Sequence, residues 1–297
     1  MPLAIIKRII LCYNKYNSYF IQFLDNYFRH SNYQRKTNFQ NGMKITLITV
    51  TYNSEKYLAH CIDSVQNQTY KNIEHIIVDG NSTDNTINII KDYGAGISKW
   101  ISEPDKGMYD AINKGIAMAT GDVIGVLNSD DMLYSEDIIE NIAKTFDEQQ
   151  VDSVYGDLQY VDQEVTTRVF RTWRGKKYNR NLFKMGWMPG HPTFYIKKSV
   201  VDSYGGYENH YFTAADYEFM TRYLFRHKIS SFYLPKLFVK MRRGGASNKN
   251  IYHRLRANRR DYLAMKKNLI PMPFLVSILK PLIKVHQYNL KTNLGIF

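Results

Sequence analysis

From Lys44 onward, short runs of apolar and β-branched residues alternate with segments whose apolar positions recur every three or four residues. Lys44 to Val50 (KITLITV) predicts a first strand, after which Leu58, Cys61, Ile62 and Val65 fall on one face of a helix. Ile73 to Val78 (IEHIIV) predicts a second strand. The loop Asp79-Gly80-Asn81-Ser82-Thr83-Asp84 then supplies turn formers and N-cap candidates ahead of Ile87, Ile89 and Ile90. Lys99 to Ser102 fits a short third strand, and Met108, Ala111, Ile112, Gly115, Ile116 and Ala119 form a helical stripe. The apolar run Val123 to Leu127 predicts a fourth strand that ends in Asn128-Ser129-Asp130-Asp131. This βαβα alternation predicts an α/β fold with a mostly parallel sheet flanked by helices. In such a sheet ligands bind beyond the carboxyl ends of the strands, where the polar clusters of this chain fall.

After Val151 the regular alternation gives way to shorter strands, many aromatic residues and the loop Trp187-Met188-Pro189-Gly190-His191-Pro192. A helix is expected from Ala215 to Arg226 and a strand from Ser230 to Val239, followed by the loop Arg242-Arg243-Gly244-Gly245-Ala246-Ser247. The expected organisation is an N-terminal extension over residues 1–42 and a core over 43–249, whose halves are 43–131 and 132–249. A basic helical tail occupies 250–297. Met43 directly precedes the first strand, so the extension reads either as an amphipathic anchor or as sequence upstream of an alternative start.

Charge sharpens this division. The chain carries a net +13, with +5 in residues 1–42 and +12 in residues 240–297, which leaves −4 on the residues between. Basic ends around a mildly acidic core suit attachment to an anionic surface better than a nucleic-acid-binding face. The stretch MPLAIIKRIILCY is broken by Lys7 and Arg8 and lacks a small-residue cleavage site, which argues against a secretory signal. No run approaches the roughly 20 apolar residues of a membrane-spanning helix. In the tail, LIPMPFLVSILKPLIKV is interrupted by prolines and lysines, and it reads either as an in-plane membrane hairpin or as a segment packed on the core. Cys12 and Cys61 form neither a metal spacing nor a disulfide framework, which fits a reducing compartment.

The candidate chemistry begins at Asp130 and Asp131. Adjacent carboxylates after a buried strand repel each other unless a cation lies between them, and Mg²⁺ or Mn²⁺ on a diphosphate would relieve that repulsion. A simple turn and cap ahead of the next helix is the alternative. Asp105-Lys106-Gly107 precedes a helix, where Lys106 either meets phosphate or is an exposed loop lysine.

Three stretches, ITVTYNSEKYL, IIVDGNSTDNT and SEPDKGMYDAINKGIAMATGDVIGVLNSDD, together resemble the nucleotide-binding half of bacterial family-2 glycosyltransferases. The similarity covers Lys44 to Asp131 and continues more weakly to Ser247. It is nearer to enzymes of exopolysaccharide, colanic-acid and O-antigen assembly than to processive cellulose or chitin synthases. The resemblance implies a GT-A fold, a nucleotide-diphosphate sugar donor, a Mn²⁺ or Mg²⁺ cofactor and inverting transfer to a lipid-linked or glycan acceptor. It also implies a cytoplasmic enzyme lying on the inner face of the plasma membrane, without nucleic-acid partners.

Residue by residue, the resemblance assigns Thr51, Tyr52 and Asn53 to the nucleotide base. Asp79 matches the first of two adjacent acids, with Gly80 where the second usually stands. Asp130 and Asp131 match the metal- and ribose-contacting acids, with Asn128 where a further acid is common. Lys106, Arg242 and Arg243 would meet the diphosphate, although the two arginines also suit lipid head groups. His191 would approach donor or acceptor, or serve the structure. Asp216 matches the general base, with Ala215 where its acidic neighbour usually lies and Glu218 in reserve. The non-acidic residues at 80, 128 and 215 leave a second reading open, a sugar-nucleotide-binding scaffold with weak activity. A nucleotidyltransferase is disfavoured because the glycine-rich loop usual near its first strand is absent.

Overall fold

The structure, a computed structural model, describes residues 42–244 and 251–283. The chain divides into two compact units, Met1–Gly42 and Met43–Phe297. The expected N-terminal extension before Gly42, the loop Gly245-Ala246-Ser247 and the tail beyond 283 lie outside the described residues.

β1 (Ile45–Thr51), α1 (Leu58–Gln66), β2 (Ile73–Asp79), α2 (Thr86–Tyr93), β3 (Lys99–Ser102), α3 (Met108–Met118) and β4 (Val123–Val126) follow in the order the alternation predicts. The four strands are parallel, in the order β3-β2-β1-β4. β1 is buried at every position, as a strand covered on both faces must be. On one face Leu58 and Ile62 of α1 and Ile90 of α2 cluster with Ile77 of β2. On the other, α3 lies so close that a Cβ on Gly115 would come within 2.4 Å of Ile48 Cγ2. The buried stripe of α3 starts one residue later than its spacing suggests. Tyr109 is buried and stacks on Tyr207, whereas Met108, in the first turn, is exposed.

The second half adds β5 (Met132–Leu133), α4 (Ile138–Gln149), β6 (Ser153–Val161), β7 (Val169–Trp173), β8 (Tyr195–Lys197), α5 (Lys198–Tyr204), α6 (Ala215–Met220) and β9 (Ser231–Arg242). One sheet runs β3-β2-β1-β4-β8-β6-β9-β5, with β7 on β6. β8 is antiparallel to both β4 and β6, while β9 is parallel to β6. β9 extends three residues past the expected end at Val239, because Met241 and Arg242 pair with Tyr160 and Val161 of β6.

α7 (Ile251–Lys267) and α8 (Pro273–Ile283) carry the described part of the tail. Ala264, Met265, Ile270 and Val276 are buried, and Lys280 lies 3.5 Å over the Tyr217 ring while its ammonium bonds Asp261 at 2.6 Å. This face packs on the helix that carries Asp216. Leu269, Met272, Phe274, Leu275 and Ile278 remain exposed. Each of the two readings of the tail thus has a face that suits it. No helix among the described residues is long and apolar enough to cross a membrane.

Candidate functional site

The loops after β1 and β2 are stitched together by small polar side chains. The N–H of Asn53 donates to Ser82 Oγ at 2.8 Å, the N–H of Thr83 donates to Asn53 Oδ1 at 2.9 Å, and the N–H of Ser54 donates to Thr86 Oγ1 at 2.8 Å. Asn53 adopts a positive φ of 48°, which its short amide tolerates better than most side chains. Asp79 is fully buried and accepts from the Ser82 hydroxyl and N–H and from Ser102 Oγ, so it organises the loop from within. Of the four residues expected at the nucleotide base, Tyr52 and Asn53 are exposed; Tyr52 is 62% exposed and lies beside Gly80. Thr51 is buried, and its hydroxyl lacks a hydrogen-bond partner.

The acidic turn sits beyond β4, joined to the first loop by Ser54 Oγ and Ser129 Oγ at 2.9 Å. Asp131 is fully buried. It accepts from Asn128 Nδ2 at 3.0 Å and from the backbone N–H of Arg242 at 3.2 Å. Burial, reinforced by the neighbouring Asp130 carboxylate, holds Asp131 well above the usual carboxylate range, and burial also raises Asp130. Arg242 lies in the sheet rather than in the loop expected to begin with it. Because β9 extends through it, it is buried, and its guanidinium donates to Asp130 O at 2.7 Å and Gln163 O at 2.9 Å and meets His60 Nδ1 at 3.1 Å. It buttresses the acidic turn. Arg243 is exposed and stacks on Phe170, and Lys106 is exposed at the start of α3.

Asp216 opens α6, with Oδ1 accepting the N–H of Tyr217 at 2.7 Å. Around it lie neutral partners. Burial lowers the pKa of His191, partly opposed by Asp216, and the Nε2 of His191 lies 2.9 Å from the Tyr207 hydroxyl. Burial and the Asp216 carboxylate hold the Tyr109 and Tyr207 hydroxyls well above their ordinary range. Glu218 points away into the protein, where Arg222 Nε at 3.1 Å and Asn268 Nδ2 at 3.2 Å satisfy it.

The first turns of α3 connect these clusters. At one end the Asp105 carboxylate lies against Gly80, and at the other Tyr109 meets Asp216. Asn113 Nδ2 donates to Tyr207 O and Asn113 Oδ1 accepts from Tyr207 N, both at 2.8 Å, while Asn209 Nδ2 donates to Asp110 Oδ1 at 3.1 Å. Sequence reading missed Asp105, Asp110 and Asn113 as contributors. For Asp110 and Asn113 the available signal was their polar positions between the apolar ones of α3.

The model of the family described as glycosyl transferase family 2 matches residues 46–205, which include β1 to β8, the acidic turn and His191. The chain belongs to this family. This family-2 glycosyltransferase is 30% identical over 180 residues to a PGL/p-HBAD biosynthesis glycosyltransferase of Mycobacterium bovis, covering 60% of the chain and 68% of that protein. It is also 36% identical over 115 residues to glycosyltransferase GlyA of Streptococcus pneumoniae, covering 38% of the chain and 16% of that protein. Two solved structures share its GT-A fold. S. aureus TarS 1–349 in complex with UDP aligns with a TM-score of 0.55 at 19% identity, covering 75% of the chain and 70% of that structure. The mannosyltransferase PcManGT of Pyrobaculum calidifontis, with GDP-Man and Mn²⁺, aligns with a TM-score of 0.57 at 18% identity, covering 83% and 71%.

The acidic turn of this glycosyltransferase also fits a divalent cation on chemical grounds. Two neighbouring carboxylates are under-neutralised, and the buried Asn128 Oδ1 beside them lacks a hydrogen-bond partner. Among the described residues no group of three or more His, Cys, Asp or Glu side chains is gathered as a ligand set. A Mg²⁺- or Mn²⁺-type site needs only one or two carboxylates and completes its shell with substrate phosphate and water.

Proposed function

We propose that this chain is a metal-dependent inverting glycosyltransferase that moves a sugar from a nucleotide-diphosphate donor to a hydroxyl of a lipid-linked or glycan acceptor in cell-surface polysaccharide synthesis. The observation that carries this reading is the buried, under-neutralised Asp130–Asp131 turn at the carboxyl end of the sheet, in a family-2 fold. Asp130 and Asp131 would hold the cation, which when bound offsets the negative charge that develops on the leaving diphosphate. Tyr52 offers its face to the base, and Lys106 and Arg243 lie at exposed positions suited to phosphate. Asp216 takes the proton of the acceptor hydroxyl as that oxygen attacks the anomeric carbon. The bond from that carbon to the diphosphate oxygen breaks on the opposite side, and the nucleoside diphosphate departs. His191, whose pKa burial lowers, and the Tyr109 and Tyr207 hydroxyls lie around Asp216 and can hydrogen-bond sugar hydroxyls.

The test is release of nucleoside diphosphate from UDP-, GDP- and dTDP-sugars, with and without Mn²⁺ or Mg²⁺, alongside direct measurement of donor binding. Metal-dependent release from one donor, abolished in Asp131→Ala, is expected. Asp216→Asn should bind that donor normally and lose transfer; near-normal transfer would remove Asp216 from the role of base. Donor binding without transfer to any glycan acceptor would favour the scaffold reading.

The exposed apolar residues of the tail, with Arg259 and Lys266 exposed nearby, support docking on an anionic membrane surface. Co-sedimentation with vesicles containing anionic lipid should exceed that with neutral vesicles and should fall in Leu269→Ser/Phe274→Ser. Equal sedimentation of this variant would exclude the patch as the contact.

A further inference from the structure

Gly80 stands where the family resemblance expects a second acid, and its surroundings show what fills the space. A Cβ built on Gly80 would lie 2.5 Å from Asp105 Oδ2 and 3.4 Å from Tyr52 Cδ2. Gly80 is not among the positive-φ glycines, so the backbone there does not require glycine, and the missing side chain leaves room that the neighbouring carboxylate occupies. That carboxylate arrives from a different strand end. The neighbouring Asp79 is fully buried, with both oxygens occupied by Ser82 and Ser102.

Asp105 is half-buried and differently placed. Its Oδ1 accepts the N–H of Gly107 at 2.7 Å, which leaves Oδ2 directed at Gly80 and the neighbouring Tyr52 ring. Lys114 Nζ donates to Pro104 O at 2.8 Å and the N–H of Lys106 donates to Asp110 Oδ2 at 3.0 Å, so the loop holding Asp105 is anchored on both sides. An exposed aromatic ring and a held carboxylate oxygen that both border the open space over Gly80 have the form of a site for a planar heterocycle, stacked on the ring and donating one N–H to the carboxylate.

We infer that Asp105, in the space left by Gly80, is the base-reading acid of the donor site, and that it selects nucleotides whose base carries a ring N–H. This rests on the proposed nucleotide-sugar donor. An ionised carboxylate accepts hydrogen bonds and donates none. Uracil, thymine and guanine present a ring N–H to it, whereas cytosine and adenine present a ring nitrogen lone pair at the equivalent edge, which it repels.

The experiment is calorimetric titration of the full chain with UDP, CDP, GDP and ADP in the presence of Mn²⁺. The unaltered chain should favour UDP over CDP, or GDP over ADP, by roughly 10- to 100-fold, the range of a hydrogen bond to a charged group. Asp105→Asn, whose amide can donate as well as accept, should bring each pair close to equal. Gly80→Ala, which displaces the carboxylate while Asp105 remains, should narrow the preference in the same way. Retention of the unaltered preference by Asp105→Asn overturns the inference. So does an equal loss for all four nucleotides with the preference intact, which would move Asp105 to the ribose or phosphates. A chain that binds none of the four overturns the proposed donor as well, whereas selective binding insensitive to Asp105 overturns this inference alone.

Discussion

The two ends of the parallel sheet treat buried carboxylates in opposite ways. At the amino end, Glu74 of β2 is 2% exposed and accepts from Thr46 Oγ1 at 2.6 Å, from the N–H and Oγ1 of Thr120 at 2.7 Å each, and from Lys99 Nζ at 2.9 Å. Burial pushes its pKa up, but these donors overcome it and bring the group down to about 2. At the carboxyl end Asp131 is equally enclosed, receives only two N–H donors and faces another carboxylate, and its pKa goes the other way. The same desolvation acts at both ends, and the number of donors decides the sign. A carboxylate with four donors closes a structure, whereas two carboxylates short of donors make a place for a cation.

The largest expected effect separates the two ends by function. Asp131→Ala should lower donor turnover by roughly 10³-fold or more, the several kcal/mol that a metal's charge stabilisation supplies. Its stability without metal should change little, because repulsion with Asp130 disappears along with the hydrogen bonds. Mn²⁺ with nucleoside diphosphate should raise the melting temperature of the unaltered chain and leave that of the variant unmoved. A variant that unfolds outright would show that the turn is structural after all.

Next in size is the converse change. Glu74→Gln should cost about 2–4 kcal/mol of stability by urea unfolding, since the threonine and lysine donors lose their charged acceptor. Turnover per folded molecule should be retained. Normal stability would show that the network does not hold the amino end together, and lost turnover in a folded variant would remove the contrast between the ends.

How far the sequence revealed these ends depends on which contacts are local. The parallel strands fall within one or two residues of their predicted limits, because strand and helix periodicities are written in consecutive residues. Asp130, Asp131 and Asp216 could be singled out as candidates from motif position alone. That Asp79 is held from within was not legible, since Ser102 reaches it from 23 residues away. Nor was the burial of Arg242, which follows from its pairing with Val161 across the sheet. Asp105 escaped notice because its significance lies in the space over Gly80, and spacing along the chain does not encode that space. The tail offered two readings from composition, and contacts distant in sequence, such as the ion pair of Lys280 with Asp261 and the seat of Asn268 on Glu218, reveal which face packs inward.

The smallest expected effect sharpens the amino-end half of the comparison by separating two neighbours on β2. His75 is buried beside Glu74. Its Nε2 lies 3.0 Å from Thr49 Oγ1, its Nδ1 lacks a hydrogen-bond partner, and burial brings its pKa down from 6.5 to about 4. Between those values the unfolded chain binds a proton that the folded chain refuses, so stability falls as pH drops from 6.5 toward 4. Glu74, lowered from 4.5 to about 2, gives the folded state stability that is complete above 4.5 and is lost below it. Acid should therefore weaken the protein in two stages, His75 first. Its share between pH 7 and 5.5 should be about 1 kcal/mol. His75→Gln should reduce the upper stage, to which His191, its pKa also lowered by burial, contributes, and leave the lower one, whereas Glu74→Gln should reduce the lower stage and leave the upper. A single acid limb that both substitutions move together would mean that the two residues titrate as one unit, and the amino end would then have to be treated as a coupled pair rather than as two independent groups.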